Sequence, residues 1–350
     1  MRRGNTHRMM RWLWTSRRLD ARLLRVMLLP LAGLWWAATA LRNFRFDRAG
    51  APVRRLPLPT VGVGNLSVGG SGKTPVASWI AQHFSDRGLV PGILTGGQGR
   101  DEALVHQHRV PGAVVIADPD RTLAAQQAAA RGAAVLVLDD AFQLRGVARD
   151  LNLAVVSAET SRAVRWPLPA GPWREGWAAL GRADGLIVTR KRANPEAARA
   201  LLEQLRSRIR PGAPAGIAHL GVVRYQGLQS GRVVPASALQ GARVVAASAI
   251  ADPASFVAQI KGTGALVQVA SWSDHHEFRD EDLAWLAKAA RKADHLIVTQ
   301  KDAVKLQGRW PASVPEPLVA ILEVQWELGE AEIRAALDGV LSLRRGGGER

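Results

Sequence analysis

A glycine-rich turn between a short apolar strand and an amphipathic helix constrains this chain more than any other feature. The stretch SVGGSGKTP, Ser67–Pro75, follows TVGV, which is typical of a buried strand, and precedes a helical stripe formed by Val76, Ile80 and Phe84. Glycines let backbone N–H groups converge on phosphate oxygens, and the helix N-terminus adds a favourable dipole. The stretch therefore predicts a polyphosphate site, and a strand–helix turn without a ligand is the alternative.

The predicted phosphate-binding residues form the turn and the start of the helix. They are Ser67, Val68, Gly69, Gly70, Ser71, Gly72, Lys73 and Thr74. The pattern departs from the usual G-x-x-x-x-G-K-[ST], because Ser67 stands where the first glycine is expected. We expect Lys73 to reach the β- and γ-phosphates and Thr74 to ligate Mg²⁺.

A second apolar strand, LVLDD at Leu136–Asp140, ends in two carboxylates. The C-terminal edge of such a strand is where Mg²⁺ is held against nucleotide phosphates. We expect Asp139 to be the metal ligand, with Asp140 as a neighbouring candidate. The alternative is that the two acids form a turn or a helix cap. Because the chain has no cysteine, disulfides and thiolate metal sites are excluded.

Apolar strands alternate with helical segments along most of the chain, which predicts an α/β fold with a parallel sheet covered on both faces. The breaker cluster RPGAP, residues 210–214, suggests a boundary. We predict a P-loop NTPase-like nucleotide-binding domain over residues 51–214 and a smaller α/β domain over residues 215–342. Residues 1–50 form a separate N-terminal segment, and residues 343–350 are expected to be a disordered tail.

The N-terminal segment is strongly basic. Residues 1–55 carry thirteen arginines against Asp20 and Asp47, a local charge of +11. The arginines are Arg2, Arg3, Arg8, Arg11, Arg17, Arg18, Arg22, Arg25, Arg42, Arg45, Arg48, Arg54 and Arg55. Such a segment suits an anionic membrane surface or nucleic acid.

An apolar run lies between these arginines. Val26–Leu41 has sixteen residues without a charge, includes Trp35 and Trp36, and is bracketed by Arg25 and Arg42. A full span needs roughly 20 apolar residues, so we predict a helix seated in the membrane interface, with arginines on the headgroups. The alternatives are a buried core helix and, after it, a nucleic-acid-binding segment.

Six stretches, in order, resemble the tetraacyldisaccharide 4'-kinase family, which phosphorylates a lipid-linked glucosamine disaccharide in lipid A synthesis. They are VGNLSVGGSGKTP (Val63–Pro75), RDEAL (Arg100–Leu104), LDDAFQLRGVARDLNL (Leu138–Leu153), LPAGPWRE (Leu168–Glu175), SDHHEF (Ser273–Phe278) and TQKDAVKL (Thr299–Leu306).

The resemblance implies an ATP- and Mg²⁺-dependent kinase that phosphorylates the 4'-hydroxyl of a tetraacyl disaccharide 1-phosphate, making lipid IVA. It implies a cleft site between the two domains and attachment, peripheral or N-terminal, to the cytoplasmic face of the inner membrane. Nucleic acid is not an expected partner.

The resemblance also assigns catalytic residues. Asp101 corresponds to a catalytic acid near the acceptor hydroxyl, and His275 of the Asp-His motif is expected to pair with it. Together with Lys73 they form the predicted catalytic set, because a carboxylate supported by an imidazole can take a proton from a sugar hydroxyl. Asp274, His275 and His276 could instead be a metal cluster.

The resemblance gives less definite roles to three further residues. Lys301 and Asp302 are either surface charges or nucleotide contacts, and Arg174 either contacts an anion or is exposed.

Five stretches differ from the family pattern, namely TGGQG (Thr95–Gly99), RDEA (Arg100–Ala103), DDAFQL, TQKDA and SAI (Ser248–Ile250). These differences leave an impaired paralogue open as an alternative. A regulatory P-loop ATPase or GTPase without a lipid acceptor is a further one.

Overall fold

The computed structural model describes residues 9–48, 51–97, 100–159 and 165–345, apart from residues 11 and 17. Some predicted features lie outside this part of the chain. They are the arginines Arg2, Arg3, Arg8, Arg11 and Arg17, the last two residues of TGGQG, and residues 346–350 of the predicted tail.

The chain divides into two compact units, of which the larger comprises Met9–His219 and Trp326–Arg350. Its first strands are β1 (Thr60–Gly64), β2 (Pro91–Thr95), β3 (Val114–Ala117), β4 (Val135–Asp139), β5 (Leu151–Ser157) and β6 (Gly185–Arg190). Its first helices are α1 (Leu19–Met27), α2 (Leu29–Asp47), α3 (Lys73–Ser85), α4 (Arg100–Arg109), α5 (Arg121–Ala130) and α6 (Pro195–Arg206), with a 3₁₀ turn at Trp177–Arg182.

The sheet of the larger unit is parallel and has β1 near its middle. The strand order is β6-β5-β1-β4-β2-β3, and every pairing in it is parallel. β1, β2, β4 and β5 are buried along their whole length, which explains their nearly continuous apolar sequences. The predicted P-loop NTPase-like α/β fold is confirmed.

The smaller unit, Leu220–Gln325, contains mainly parallel strands that belong to the same continuous sheet. Its elements are β7 (Ala215–Gly227), β8 (Val233–Val234), a 3₁₀ turn at Ala236–Leu239, β9 (Arg243–Ser248), α7 (Pro253–Lys261), β10 (Leu266–Ser271), α8 (Asp280–Lys292), β11 (His295–Thr299), α9 (Gln300–Leu306) and β12 (Leu318–Leu328). The strand order is β10-β9-β11-β12-β7, and β8 pairs antiparallel with β7.

The predicted domain boundaries need correction. The boundary falls between His219 and Leu220, inside β7, rather than at residue 214, and the chain returns to the larger unit at Trp326. Long strands hide this division from a sequence, since β7 and β12 each run from one unit into the other without interruption. The smaller unit is therefore an insertion within the larger one.

The last helix, α10 (Glu330–Arg345), belongs to the larger unit. Its buried stripe consists of Ile333, Leu337 and Val340, at the i, i+4, i+7 spacing of one helical face, and the helix lies against β1 and β5. The helix continues to Arg345, so residues 343–345, predicted to be disordered, are helical. Leucine and arginine favour a helix, which explains the extension.

The N-terminal apolar run forms two helices instead of one. α1 and α2 meet at Leu28 with a bend of 49°, just before Pro30. Proline lacks an N–H donor and its ring clashes with the carbonyl of the preceding turn, so a single straight helix is disfavoured here. In the described chain no lone helix has the length and apolarity to cross a bilayer, although the bent pair taken together does.

The apolar side chains of α2 are largely exposed, which contradicts the alternative of a buried core helix. Leu34 is 67% exposed and Trp36 is 60% exposed, and among the residues of α2 only Ala32 is buried. One detail of the predicted segment was wrong: Arg25 is buried and donates to the carbonyls of Ala21 and Ser16, so it does not face headgroups.

We expect Leu337→Ala to lower the free energy of unfolding by about 2–5 kcal/mol, because it leaves a cavity under the sheet of the larger unit. Urea denaturation of the full chain, with cleavage of the larger unit by a protease as a second readout, measures the change. Glu332→Ala, at an exposed position of the same helix, is the control and should stay within about 0.5 kcal/mol of wild type. Equal stability of both variants would contradict the placement of α10.

Candidate nucleotide and phosphoryl-transfer site

The glycine-rich turn connects β1 to α3, and its shape is fixed by one buried side chain. The Asn65 amide donates to the Ser67 carbonyl at 2.7 Å and to Ser71 Oγ at 2.7 Å, while its Oδ1 accepts from Lys73 Nζ at 3.0 Å. Gly72 has φ of 86°, a left-handed conformation that glycine adopts without strain, and α3 begins at the next residue. Asn65 was missed as a site residue, although it lies within the resembling stretch.

The turn is also held from β6 and the residue after it. Thr189 Oγ1 donates to the Ser71 carbonyl at 2.7 Å, and Lys191 Nζ donates to the Gly70 carbonyl at 2.7 Å. With these carbonyls engaged, the turn has a defined backbone from which N–H groups can reach an anion. The sequence analysis missed both residues, and the signal available was that a lysine, rare in this chain, follows a buried strand directly.

Asp140 balances the charge of Lys73. Its Oδ1 lies 3.0 Å from Lys73 Nζ, and Arg174 Nη1 donates to both of its oxygens at 3.0 and 3.1 Å. Although burial favours the neutral acid, the charges of Lys73 and Arg174 hold the pKa of Asp140 below its ordinary value. Arg174 is thus part of an ion-pair network, and a metal-ligand role for Asp140 stays a prediction.

Asp139 lies at the end of β4, in register with Val63 of β1. Its side chain is buried, Oδ2 lies 3.1 Å from Nε2 of His106, and Oδ1 has no hydrogen-bond partner among the described residues. Burial favours the neutral acid, but the hydrogen bond from His106 and the charge of Lys73 keep the pKa of Asp139 low. The carboxylate therefore has an oxygen that a cation could take.

Thr74 stands in the first turn of α3 and is buried. Strand β1 leads into that helix, and the parallel register of β1 and β4 brings the ends of both strands to the same sheet edge. Within the described chain no group of three or more His, Cys, Asp or Glu side chains could hold a metal ion. One carboxylate, a hydroxyl and phosphate oxygens are, however, a usual set for Mg²⁺.

The alternative of a metal cluster at Asp274, His275 and His276 is not supported, because the described residues contain no such group of ligands.

Asp101 and His275, the predicted catalytic pair, lie in different units. Asp101 is buried in the first turn of α4, where its Oδ1 accepts from the N–H of Glu102 at 3.2 Å. His275 is half-buried with φ of 58°, which is uncommon for a residue other than glycine and is often found at functional sites. Their pairing stays a prediction.

Asp302 is neither a surface charge nor free to hold a nucleotide. It is fully buried, accepts from the Ala249 N–H through both oxygens, and accepts from Thr299 Oγ1 at 2.6 Å. Burial raises the pKa of Asp302 above its ordinary value. Its position as the third residue of α9 and its hydrogen bond with Ala249, the residue after β9, give it a structural role in the smaller unit. For Lys301, nucleotide binding stays a prediction.

We expect Gly64→Ala to destabilise the chain by about 1–3 kcal/mol and to weaken nucleotide binding. A methyl group there would lie 2.4 Å from the backbone nitrogen of Phe142, which would push the glycine-rich turn away from the loop after Asp140. Urea denaturation and calorimetric titration with ATP measure both effects. Gly176→Ala is the matched control, since no atom of the described residues lies within 4 Å of its Cβ position. Equal effects of the two variants would refute the close approach of Gly64 to Phe142.

The chain is similar to known proteins over most of its length. Residues 24–107 and 100–342 match the family described as Tetraacyldisaccharide-1-P 4'-kinase, LpxK. The chain is 35% identical over 311 residues to a tetraacyldisaccharide 4'-kinase of Aromatoleum aromaticum, covering 83% of this chain and 87% of that protein. It is 35% identical over 348 residues to the tetraacyldisaccharide 4'-kinase of Anaeromyxobacter sp. strain K, covering 87% and 88%.

A solved structure is similar over nearly its full length. LpxK from Aquifex aeolicus, crystallised in complex with ATP, aligns with a TM-score of 0.72 and 26% identity, covering 91% of this chain and 99% of that chain. From the order of the motifs, the parallel sheet with its glycine-rich turn, and these relatives, the chain belongs to the tetraacyldisaccharide 4'-kinase family.

Proposed function

We propose that this chain transfers the γ-phosphoryl group of ATP to the 4'-hydroxyl of a tetraacyl glucosamine disaccharide 1-phosphate, making lipid IVA. The observation that carries the proposal is the meeting of Lys73, Thr74 and the unpaired oxygen of Asp139 at one sheet edge. These are the groups that a phosphoryl-transfer site requires beside a glycine-rich turn.

The turn holds the triphosphate. Backbone N–H groups of residues 69–74 and the positive end of the α3 dipole bind phosphate oxygens. An ammonium group carries three protons, so Lys73 can keep Asn65 and Asp140 as partners and still donate to a phosphate oxygen. The two partners orient the amino group before the nucleotide arrives, which lowers the entropic cost of binding.

Thr74 and Asp139 would hold a Mg²⁺ ion beside the phosphates, because one offers a hydroxyl and the other a buried carboxylate oxygen without a partner among the described residues. When bound, the ion neutralises charge that develops on the transferring phosphoryl group. Asp140 holds Lys73 in place from the other side, and Arg174 in turn holds Asp140.

Asp101 is proposed as the general base, and His275 as its partner from the smaller unit. A sugar hydroxyl is a poor nucleophile, so a carboxylate that accepts its proton assists the attack. Since the phosphoryl transition state is loose, positioning and charge neutralisation by Lys73 contribute more to the rate than the base does.

The N-terminal helices are proposed to dock on an anionic membrane surface, such as the cytoplasmic face of the inner membrane, rather than on nucleic acid. α2 exposes Leu31, Leu34 and Trp36, and the arginines Arg22 and Arg45 are exposed on the two helices. Apolar side chains inserted between headgroups, together with arginines on anionic lipid, are the two contributions that hold a helix in the interface. An acylated acceptor lies in the same leaflet.

We expect labelled ATP to label the disaccharide lipid in detergent, and Lys73→Ala to lower kcat by at least about 100-fold, because charge stabilisation of the phosphoryl group is lost. Asp101→Ala should lower kcat by about 100- to 10,000-fold at a nearly unchanged Kd for ATP, and His275→Ala should act in the same direction. Lys288→Ala, at an exposed position of α8, is the control.

Two outcomes of this assay would overturn the proposal. One is a wild-type protein that binds ATP and leaves the lipid unlabelled. The other is ATP hydrolysis that is indifferent to the lipid, which would indicate a regulatory type of P-loop ATPase.

We expect the double variant Leu34→Ser, Trp36→Ser to bind vesicles of phosphatidylglycerol and phosphatidylethanolamine at least about 100-fold more weakly than wild type, since each buried apolar side chain contributes roughly 1.5–3 kcal/mol. Cosedimentation measures the partition coefficient. The matched control is Leu266→Ser, Val269→Ser, which removes exposed apolar side chains of β10 in the smaller unit. If the control loses as much binding as the α2 variant, docking does not depend on α2.

A further inference from the structure

A buried chain of hydrogen bonds links α3, α4 and β4 behind the candidate site. His106 of α4 is 0% exposed; its Nδ1 lies 2.9 Å from Ser78 Oγ of α3 and its Nε2 lies 3.1 Å from Oδ2 of Asp139. Both ring nitrogens are therefore engaged, as a buried imidazole requires. Nothing in the resemblance to the family gives a role to this histidine.

The direction of these bonds follows from the carboxylate. A carboxylate that binds a metal ion can only accept hydrogen bonds, so Nε2 of His106 carries the proton that lies between it and Oδ2 of Asp139. With the ring proton on Nε2, Nδ1 accepts from the hydroxyl of Ser78. Ser78 thereby selects the tautomer that donates to Asp139.

The two oxygens of Asp139 consequently differ. Oδ2 is fixed by His106, whereas Oδ1 is buried and unpartnered within the described part of the chain. A carboxylate held by one oxygen cannot rotate freely, and a metal ligand whose orientation is set in advance binds with a smaller loss of entropy.

We infer that His106 is a positioning residue for the metal site: its Nε2–H fixes the carboxylate of Asp139 so that Oδ1 stays available to Mg²⁺ beside the triphosphate. The inference rests on the proposed function, because it takes Asp139 as a ligand of that ion. The same hydrogen bond ties α4, the helix whose first turn contains Asp101, to the end of β4.

The test compares two amides at position 106, because each replaces one ring nitrogen. In His106→Asn the amide reaches the Nδ1 position and can bond Ser78, whereas in His106→Gln it reaches the Nε2 position and can bond Asp139. Calorimetric titration of the full chain with a non-hydrolysable ATP analogue is run in EDTA and in MgCl₂. The Kd in EDTA divided by the Kd in MgCl₂ gives the metal dependence of binding without any turnover.

We expect His106→Asn to lower this ratio by about 10- to 100-fold relative to wild type, the usual cost of losing a group that orients a metal ligand. His106→Gln should stay within about threefold of wild type, since it restores the donor. Ser78→Ala should lower the ratio in the same direction but less, and it carries the test if His106→Asn does not fold. His108→Asn is the matched control, because His108 is exposed on the same helix and bonds the Leu104 carbonyl.

Asp139→Asn separates failure of the inference from failure of the proposed function. If Asp139→Asn keeps the wild-type metal dependence, Asp139 does not bind the ion and the proposed site is wrong. If Asp139→Asn loses the dependence while folded His106→Asn, or Ser78→Ala in its place, matches wild type, only the role of His106 is refuted. Equal losses of metal dependence in His106→Asn and His106→Gln would likewise refute the role of His106. They would show that the size of the side chain, and not its hydrogen-bond donor to Asp139, determines the effect.

Discussion

The parallel pairing of β1 with β4 is the constraint on which the rest of the site depends. It sets Val63 opposite Asp139, so the glycine-rich turn and the acidic strand end leave the sheet side by side. Gly64 allows the two chain segments to approach closely, because any side chain there would meet the backbone of Phe142. Lys73 and Asp140 can then form an ion pair at 3.0 Å although they are far apart in sequence.

The local parts of this site could be predicted from the sequence because their causes are local. Glycines, a lysine and a hydroxyl in a fixed order determine the turn, and an apolar strand ending in Asp139 and Asp140 determines the acidic edge. The alternation of strands and helices likewise predicted the parallel fold. What the sequence could not give were contacts between distant segments: Lys191 on the Gly70 carbonyl, and His106 on Asp139.

Two further differences have the same physical origin. Asp302 looks like a surface charge at a strand end, and only its approach to Ala249, brought near by the adjacent strands β9 and β11, explains its burial. The apolar run of the N-terminus indicated an exposed, membrane-facing helix, but Pro30 divides it into two and Arg25 turns inward to bind carbonyls. Sequence patterns predict which surfaces are apolar, whereas the hydrogen-bond partners of a polar side chain depend on which segments the folded chain brings together.

Because the smaller unit is inserted between β7 and β12, the structure indicates which residues can be deleted without disrupting the larger unit. In the larger unit the two strands are neighbours, since a Cβ at Gly216 would touch Trp326 and the Leu328 carbonyl. The ends left by removing Leu220–Gln325 therefore lie close enough for a short artificial turn to rejoin them. A simple C-terminal deletion, by contrast, would strip α10 from the sheet and expose β1. Internal removal of the smaller unit therefore preserves the packing of α10 on the sheet, whereas a C-terminal truncation does not.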